Sequence, residues 1–253
     1  MITFEAKIRE QTVRLYSDLP LKNAAGALMK VLAQVSQKTN IFNNKFVLCF
    51  GWGYFFLTER TDDKGNKFWL VQSTDYRSDP TKTRTDNVTP TLVVQNMQME
   101  CVSVAKVTPE PTTMRDTVLV LKAAKDADNV YMNRQEKAKD GDSGWYFGLL
   151  DDPDEDNHKS EDYERMPSYK FMQFRPEALR VLQMPVGTVA VFDKNEMTAL
   201  VDGDDKPLKF TNSEERNKLA AKQRADFEAE VAEAKKRANE AAEAAKKESS
   251  SEE

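Results

Sequence analysis

His158 is the only histidine in this 253-residue chain, so a nucleophile activated by an imidazole base would have to use it. It sits in the charged run Asp151-Asp152-Pro153-Asp154-Glu155-Asp156-Asn157-His158, and no Gly-x-Ser-x-Gly and no supported Cys–His pairing occurs. A solvated loop histidine is the stronger reading. Asp152, Asp154 and Asp156 alternate like the first oxygen ligands of a helix-loop-helix calcium loop. The match then fails, because Tyr163 holds the twelfth position where a bidentate Glu is needed and Pro153 interrupts the start. Phe50-Gly51-Trp52-Gly53 lacks the third glycine, the lysine and the following helix of a phosphate-cradling loop, and reads as a tight turn between strands. No catalytic residue, metal or cofactor is expected.

What remains is charge. Asp151, Asp152, Asp154, Glu155, Asp156, Glu161, Asp162 and Glu164 crowd one interval, relieved only by Lys159 and Arg165. Their repulsion costs folding stability without helping a core, whereas an acidic surface speeds encounter with a basic protein. A loop that serves only solubility has the same composition, and both readings stand. The segment follows Gly141-Asp142-Ser143-Gly144-Trp145-Tyr146-Phe147, a polar turn running into an aromatic strand. Its aromatic residues read mainly as core with one facing outward. Trp145, on the edge of this hairpin, is grouped with the eight carboxylates as an expected partner contact.

The formal charge of −5 and pI near 5.3 argue against nucleic-acid binding, which needs a dense basic surface. Cys49 and Cys101 lie among apolar residues and read as packed, reduced thiols. The first residues carry no signal-peptide pattern and no run reaches the length of a membrane span, so a cytoplasmic location is expected.

The positioning elements read as follows. Residues 1–16 alternate as a first strand. Ala24, Leu28, Val31, Leu32 and Val35 recur at helical spacing and predict a helix over 21–37. Strands follow at 45–50, 54–58 and 68–72, then a polar loop over 75–90, then an ambiguous apolar segment, 91–107, read as mostly strand. Thr108-Pro109-Glu110-Pro111-Thr112-Thr113 reads as a linker between domains at 1–107 and 114–205. Further strands are expected at 117–121, 129–134, 144–150, 169–174 and 189–192, with a short helix opening at Pro176. From Ser213 the Ala/Glu/Lys/Arg composition predicts a long charged helix to about 248 and a disordered end at 249–253. Phe227, Val231, Ala234, Ala238, Ala241 and Ala245 form a heptad seam, but methyl groups bury little area, so self-association through 220–245 is expected to be weak.

The fold class is therefore α+β: two small antiparallel-sheet domains with short helices, followed by the charged helix. Gly65 precedes Trp69 by the interval that separates Gly141 from Trp145, which fits a degenerate tandem repeat. It equally fits the general need of hairpins for glycine turns and aromatic strands.

Residues 115–194 carry a further pattern: Asp142-Ser143-Gly144-Trp145-Tyr146-Phe147, Asp151-Asp152-Pro153-Asp154, Phe174-Arg175-Pro176-Glu177 and Leu182-Gln183-Met184-Pro185-Val186-Gly187-Thr188. This order resembles the bacterial immunity-protein-like domain long classed as a domain of unknown function and associated with polymorphic toxin systems. The resemblance implies a cytosolic protein that binds and neutralises a toxin, and it implies no catalytic residues. A non-catalytic binder of a basic toxin or effector is the expectation. The alternative is a phage or mobile-element scaffold that assembles through its C-terminal helix.

Overall fold

A computed structural model describes residues 1–249, with side chains described as far as Arg237 apart from 234 and 235. Residues 1–212 form one compact unit, and a second begins at Ser213.

The first sheet opens with β1 (Ile2–Ile8) and β2 (Gln11–Ser17), an antiparallel hairpin. The single strand expected over 1–16 is therefore two. Arg9 and Glu10 both adopt left-handed conformations (φ 46° and 64°), the geometry whose twist matches a two-residue hairpin, and neither is the glycine or asparagine that usually announces it. α1 (Lys22–Lys38) follows as expected, but of the face read from its spacing only Leu28 and Leu32 are buried, joined by Ala25 and Met29, while Ala24, Val31 and Val35 are half-buried. β3 (Val47–Phe50), β4 (Gly53–Thr61) and β5 (Lys67–Thr74) complete the order β1-β2-β5-β4-β3, with the two-residue β6 (Arg84–Thr85) on β5.

The segment read as mostly strand is a helix, α2 (Thr89–Ala105). Its buried residues, Thr91, Leu92, Val94, Gln95, Gln98, Cys101 and Val102, fall at helical intervals, but three of them are polar and hide the period. α2 belongs to both halves. Leu92 packs into the core beneath the first sheet, whereas Val94, Cys101 and Val102 enter the core beneath the second. Trp52, from the turn between β3 and β4, also lies in the second core: it is fully buried, stacks on Tyr76 at 5.3 Å and donates its indole N–H to Ser168 Oγ at 3.2 Å. The proline-rich segment 108–113 is bonded down as well. Glu110 N–H donates to Gln183 O (3.0 Å), and Thr113 O accepts from Ser168 Oγ (2.9 Å).

The second sheet contains β7 (Thr117–Leu121), β8 (Asn129–Arg134), β9 (Asp142–Leu149), β10 (Tyr163–Pro167), β11 (Val189–Asp193) and β12 (Glu196–Val201), in the order β10-β7-β9-β8-β11-β12. Residues 169–174, expected to pair as a strand, instead form a 3-10 turn and the short α3 (Phe171–Phe174). Helical spacing puts the Phe171 and Phe174 rings 4.8 Å apart, both edge-on to Phe147, whereas a strand would send them to opposite faces. A further 3-10 turn, Pro176–Val181, starts at the expected proline.

The architecture is α+β with two six-stranded sheets, and each sheet is mixed because it contains one parallel pair, β2 with β5 and β7 with β9. In both sheets a hairpin's second strand pairs parallel to an earlier strand, so β2-β5-β4 and β7-β9-β8 share one connectivity. Gly65 and Gly141 stand at the start of the two equivalent second strands. The strand upstream does not correspond: β3 pairs antiparallel with β4, whereas β7 pairs parallel with β9.

α4 (Ser213–Ser249) is the charged helix, carrying ion pairs one turn apart such as Glu214–Lys218 (2.6 Å) and Arg224–Glu228 (3.4 Å). Phe227 and Val231 are half-buried, while the side chains at Ala234, Ala238, Ala241 and Ala245 lie outside those described. Ser249 ends the helix, and the rest of the expected disordered end, 250–253, lies outside the described residues.

Candidate functional site: the open face of the second sheet

β9 starts on a fixed polar turn. The Asp142 carboxylate accepts from Gly144 N–H (3.1 Å) and Arg165 (3.0 Å), while Ser143 Oγ donates to Thr117 O (2.8 Å) and accepts from Trp145 N–H (3.1 Å). Gly144 has φ +77°, and a Cβ there would stand 2.2 Å from Gln135 O, so only glycine fits the crossing of the hairpin. The Asp-Ser-Gly-Trp order is thus a device for starting the strand with a defined facing.

That facing divides the strand. Trp145 and Phe147 point into the core, and Trp145 is 1% exposed, with its indole N–H on Leu182 O (3.1 Å). Trp145 offers no surface to a partner; it anchors the core. Arg134, which the sequence did not single out, lies 5.7 Å over the Trp145 ring and is itself 1% exposed. Its Nη1 donates to the carbonyls of Glu110 and Leu182 (both 3.1 Å) and of Met184, and burial pulls its pKa down against the raising influence of Glu110.

The opposite face carries Tyr131, Tyr146 and Tyr163, from β8, β9 and β10. Their rings form a row with centroids 5.6 and 6.2 Å apart, extended by His158 at 5.9 Å from Tyr163. Burial raises the pKa of Tyr131 and Tyr146, with nearby Glu155 adding to the shift at Tyr131 and Tyr131 adding to that at Tyr146. Beside Tyr131 and Tyr146 lies a groove of about 250 Å³, lined also by Leu150, Val189, Asp152 and Glu155.

The acidic loop splits into two groups. Asp152 and Asp162 serve the loop itself, and Glu164 ties it to the turn after β7. Asp152 accepts from His158 Nε2 (2.7 Å) and from Asp154 N–H (3.0 Å), Asp162 accepts from Lys159 N–H (2.8 Å), and Glu164 pairs with Lys125. Asp151, Asp154, Glu155, Asp156 and Glu161 are exposed and form no ion pair among the described residues. The hydrogen bond to Asp152 raises the His158 pKa and lowers that of Asp152. His158 Nδ1 faces Asp162 at 3.8 Å, so both ring nitrogens look at carboxylates, an arrangement that favours a held imidazolium over a general base. The alternating carboxylates do not converge: among the described residues no group of three or more His, Cys, Asp or Glu side chains is placed to hold a metal ion. Also among the described residues, no helix is long and apolar enough to cross a membrane.

The site is thus a sheet face of half-buried tyrosines beside a loop with outward carboxylates. Residues 97–202 match the Imm33-like domain, in agreement with the resemblance read over 115–194. The match starts inside α2 and ends beside β12, which takes in the whole second sheet and the C-terminal part of α2, with Cys101 and Val102. No curated protein and no solved structure matches the chain.

Proposed function

We propose that this is a non-catalytic, cytosolic immunity protein that binds a basic toxin or effector and neutralises it through the loop at 151–164. The match of residues 97–202 to the Imm33-like domain carries the reading, because that stretch includes the sheet and the loop it projects. Five outward carboxylates without ion pairs among the described residues support it: they raise the encounter rate with a cationic surface and have no task inside the fold. Occupying such a surface needs no bond making, only complementary charge around an apolar centre. The experiment expresses the products of the genes adjacent to this one, selects one that arrests growth, and co-expresses that toxin with this protein. Cells carrying both should grow, and cells carrying the toxin alone should not. Growth arrest despite abundant soluble protein would remove the immunity reading.

A further inference from the structure

The first sheet shows how this protein treats aromatic rings on a strand surface. Arg14 lies 4.2 Å over the Phe68 ring, Arg84 lies 4.0 Å over Phe56, and Arg115 lies 4.6 Å over Tyr54. Arg14 is in turn held by Glu5 at 2.7 Å and Asp62 at 3.4 Å, so ring, guanidinium and carboxylate form one stack. Such a stack gains from the ring quadrupole and from charge pairing together.

On the second sheet two of the three parts are present. Tyr131 and Tyr146 supply the rings and Glu155 supplies an exposed carboxylate at the same groove, yet no guanidinium or ammonium lies over either ring among the described residues. The groove is also kept open by sequence. Gly148 stands opposite Tyr131 in the β8–β9 register, and a Cβ there would come within 2.5 Å of the Tyr146 hydroxyl, so the Tyr146 ring lies across the bare strand toward Tyr131. Leu150, 42% exposed, forms an apolar lip. At about 250 Å³ the groove falls below the roughly 300–1,000 Å³ of a small-molecule site, which suits a single side chain.

We infer that this groove is the socket for one arginine side chain of the partner protein, its guanidinium packed against the edge-to-face pair Tyr131 and Tyr146 and paired with Glu155. Arginine fits better than lysine because its planar head stacks on a ring and meets a carboxylate with two N–H groups. The inference rests on the immunity reading for the identity of the partner but not for the chemistry of the socket.

The test uses the full chain and the peptide acetyl-Gly-Gly-Arg-Gly-Gly-amide, with the citrulline peptide as its uncharged counterpart, followed by NMR. The arginine peptide should shift the Tyr131, Tyr146 and Leu150 signals at millimolar concentration. Citrulline should bind several-fold more weakly, as should the arginine peptide to Glu155→Gln, whose exposed position leaves the fold intact. Absence of shifts at 20-fold excess over about 1 mM protein, shifts centred elsewhere, or equal binding of citrulline would overturn the socket. Toxin protection by the same variants separates the two ideas. Full protection without arginine binding removes the socket and leaves immunity standing, while arginine binding by a wild type that never protects does the reverse.

Discussion

His158 Nε2 stands 2.7 Å from Asp152 Oδ2, and this contact closes the acidic loop on itself six residues back along the chain. It gives one member of a crowded acidic run an internal task and leaves its neighbours facing solvent. The pair is also the shorter of the loop's two contacts between His158 and a carboxylate, and it is pH-sensitive.

The sign of that sensitivity follows from the two shifts. His158 is raised above its ordinary 6.5, so its contribution is complete below that value and is lost as pH rises through the folded pKa. Asp152 is lowered from 3.8, so its contribution is present above that value and lost as pH falls through its folded pKa. The loop is therefore tied most firmly between the two folded pKa values. An NMR titration of the His158 ring should give a midpoint above 6.5, and Asp152→Asn should bring it back toward that value. A wild-type midpoint at or below 6.5 contradicts the contact.

Trp52 couples the two sheets, since it leaves the first sheet's turn and fills the second core. Trp52→Ala should cost about 3–5 kcal/mol in chemical denaturation. Ser168→Ala, which strands the buried indole N–H and also removes the hydrogen bond to Thr113 O, should cost about 1–3 kcal/mol. A Trp52→Ala protein as stable as the wild type would show that the ring is not part of the core.

Much of this was legible in the sequence. α1 followed from its apolar spacing, the β4–β5 turn from Asp62 to Asn66, and the immunity-protein-like domain from the Asp-Ser-Gly-Trp turn and the Pro-x-Gly turn at Pro185–Gly187. α2 was not, because polar Gln95 and Gln98 occupy buried positions, and for Gln98 only tertiary partners explain it: it donates to Leu179 O at 2.9 Å and accepts from Gln183 at 3.0 Å. The loop's division into tied and outward carboxylates was equally hidden, since Asp152 and Asp154 are the same residue type two positions apart. The tyrosine row needed three strands to meet, and β10, which brings Tyr163, has no strand-like stretch of its own. Its five residues, Tyr-Glu-Arg-Met-Pro, end in a proline that suits only a sheet edge.

Gly148→Ala should push the Tyr146 ring away from Tyr131, because the new methyl group would meet the ring within 2.6 Å. Ring-to-ring nuclear Overhauser effects between the two tyrosines should weaken while the Trp145 signals, on the opposite face, stay in place. Unchanged contacts between the rings would mean that the bare strand is not what sets their approach.

Deleting residues from Ser213 onward should leave the number of chains per particle at micromolar concentration unchanged, because the described part of α4 shows a highly charged surface with few apolar positions. A fall in the number of chains per particle on deletion, measured by light scattering, favours assembly through the tail instead.

Charge recognition by the loop is tested most directly by the rate at which a toxin identified by the co-expression experiment associates with the protein as salt is varied. The comparison is wild type against Asp151→Lys, Asp154→Lys, Glu155→Lys and Asp156→Lys combined, a set that spares Asp152 and its bond to His158. The combined variant should associate several-fold more slowly, with a flatter dependence on ionic strength and an intact fold. An unchanged rate and an unchanged salt dependence would contradict the account.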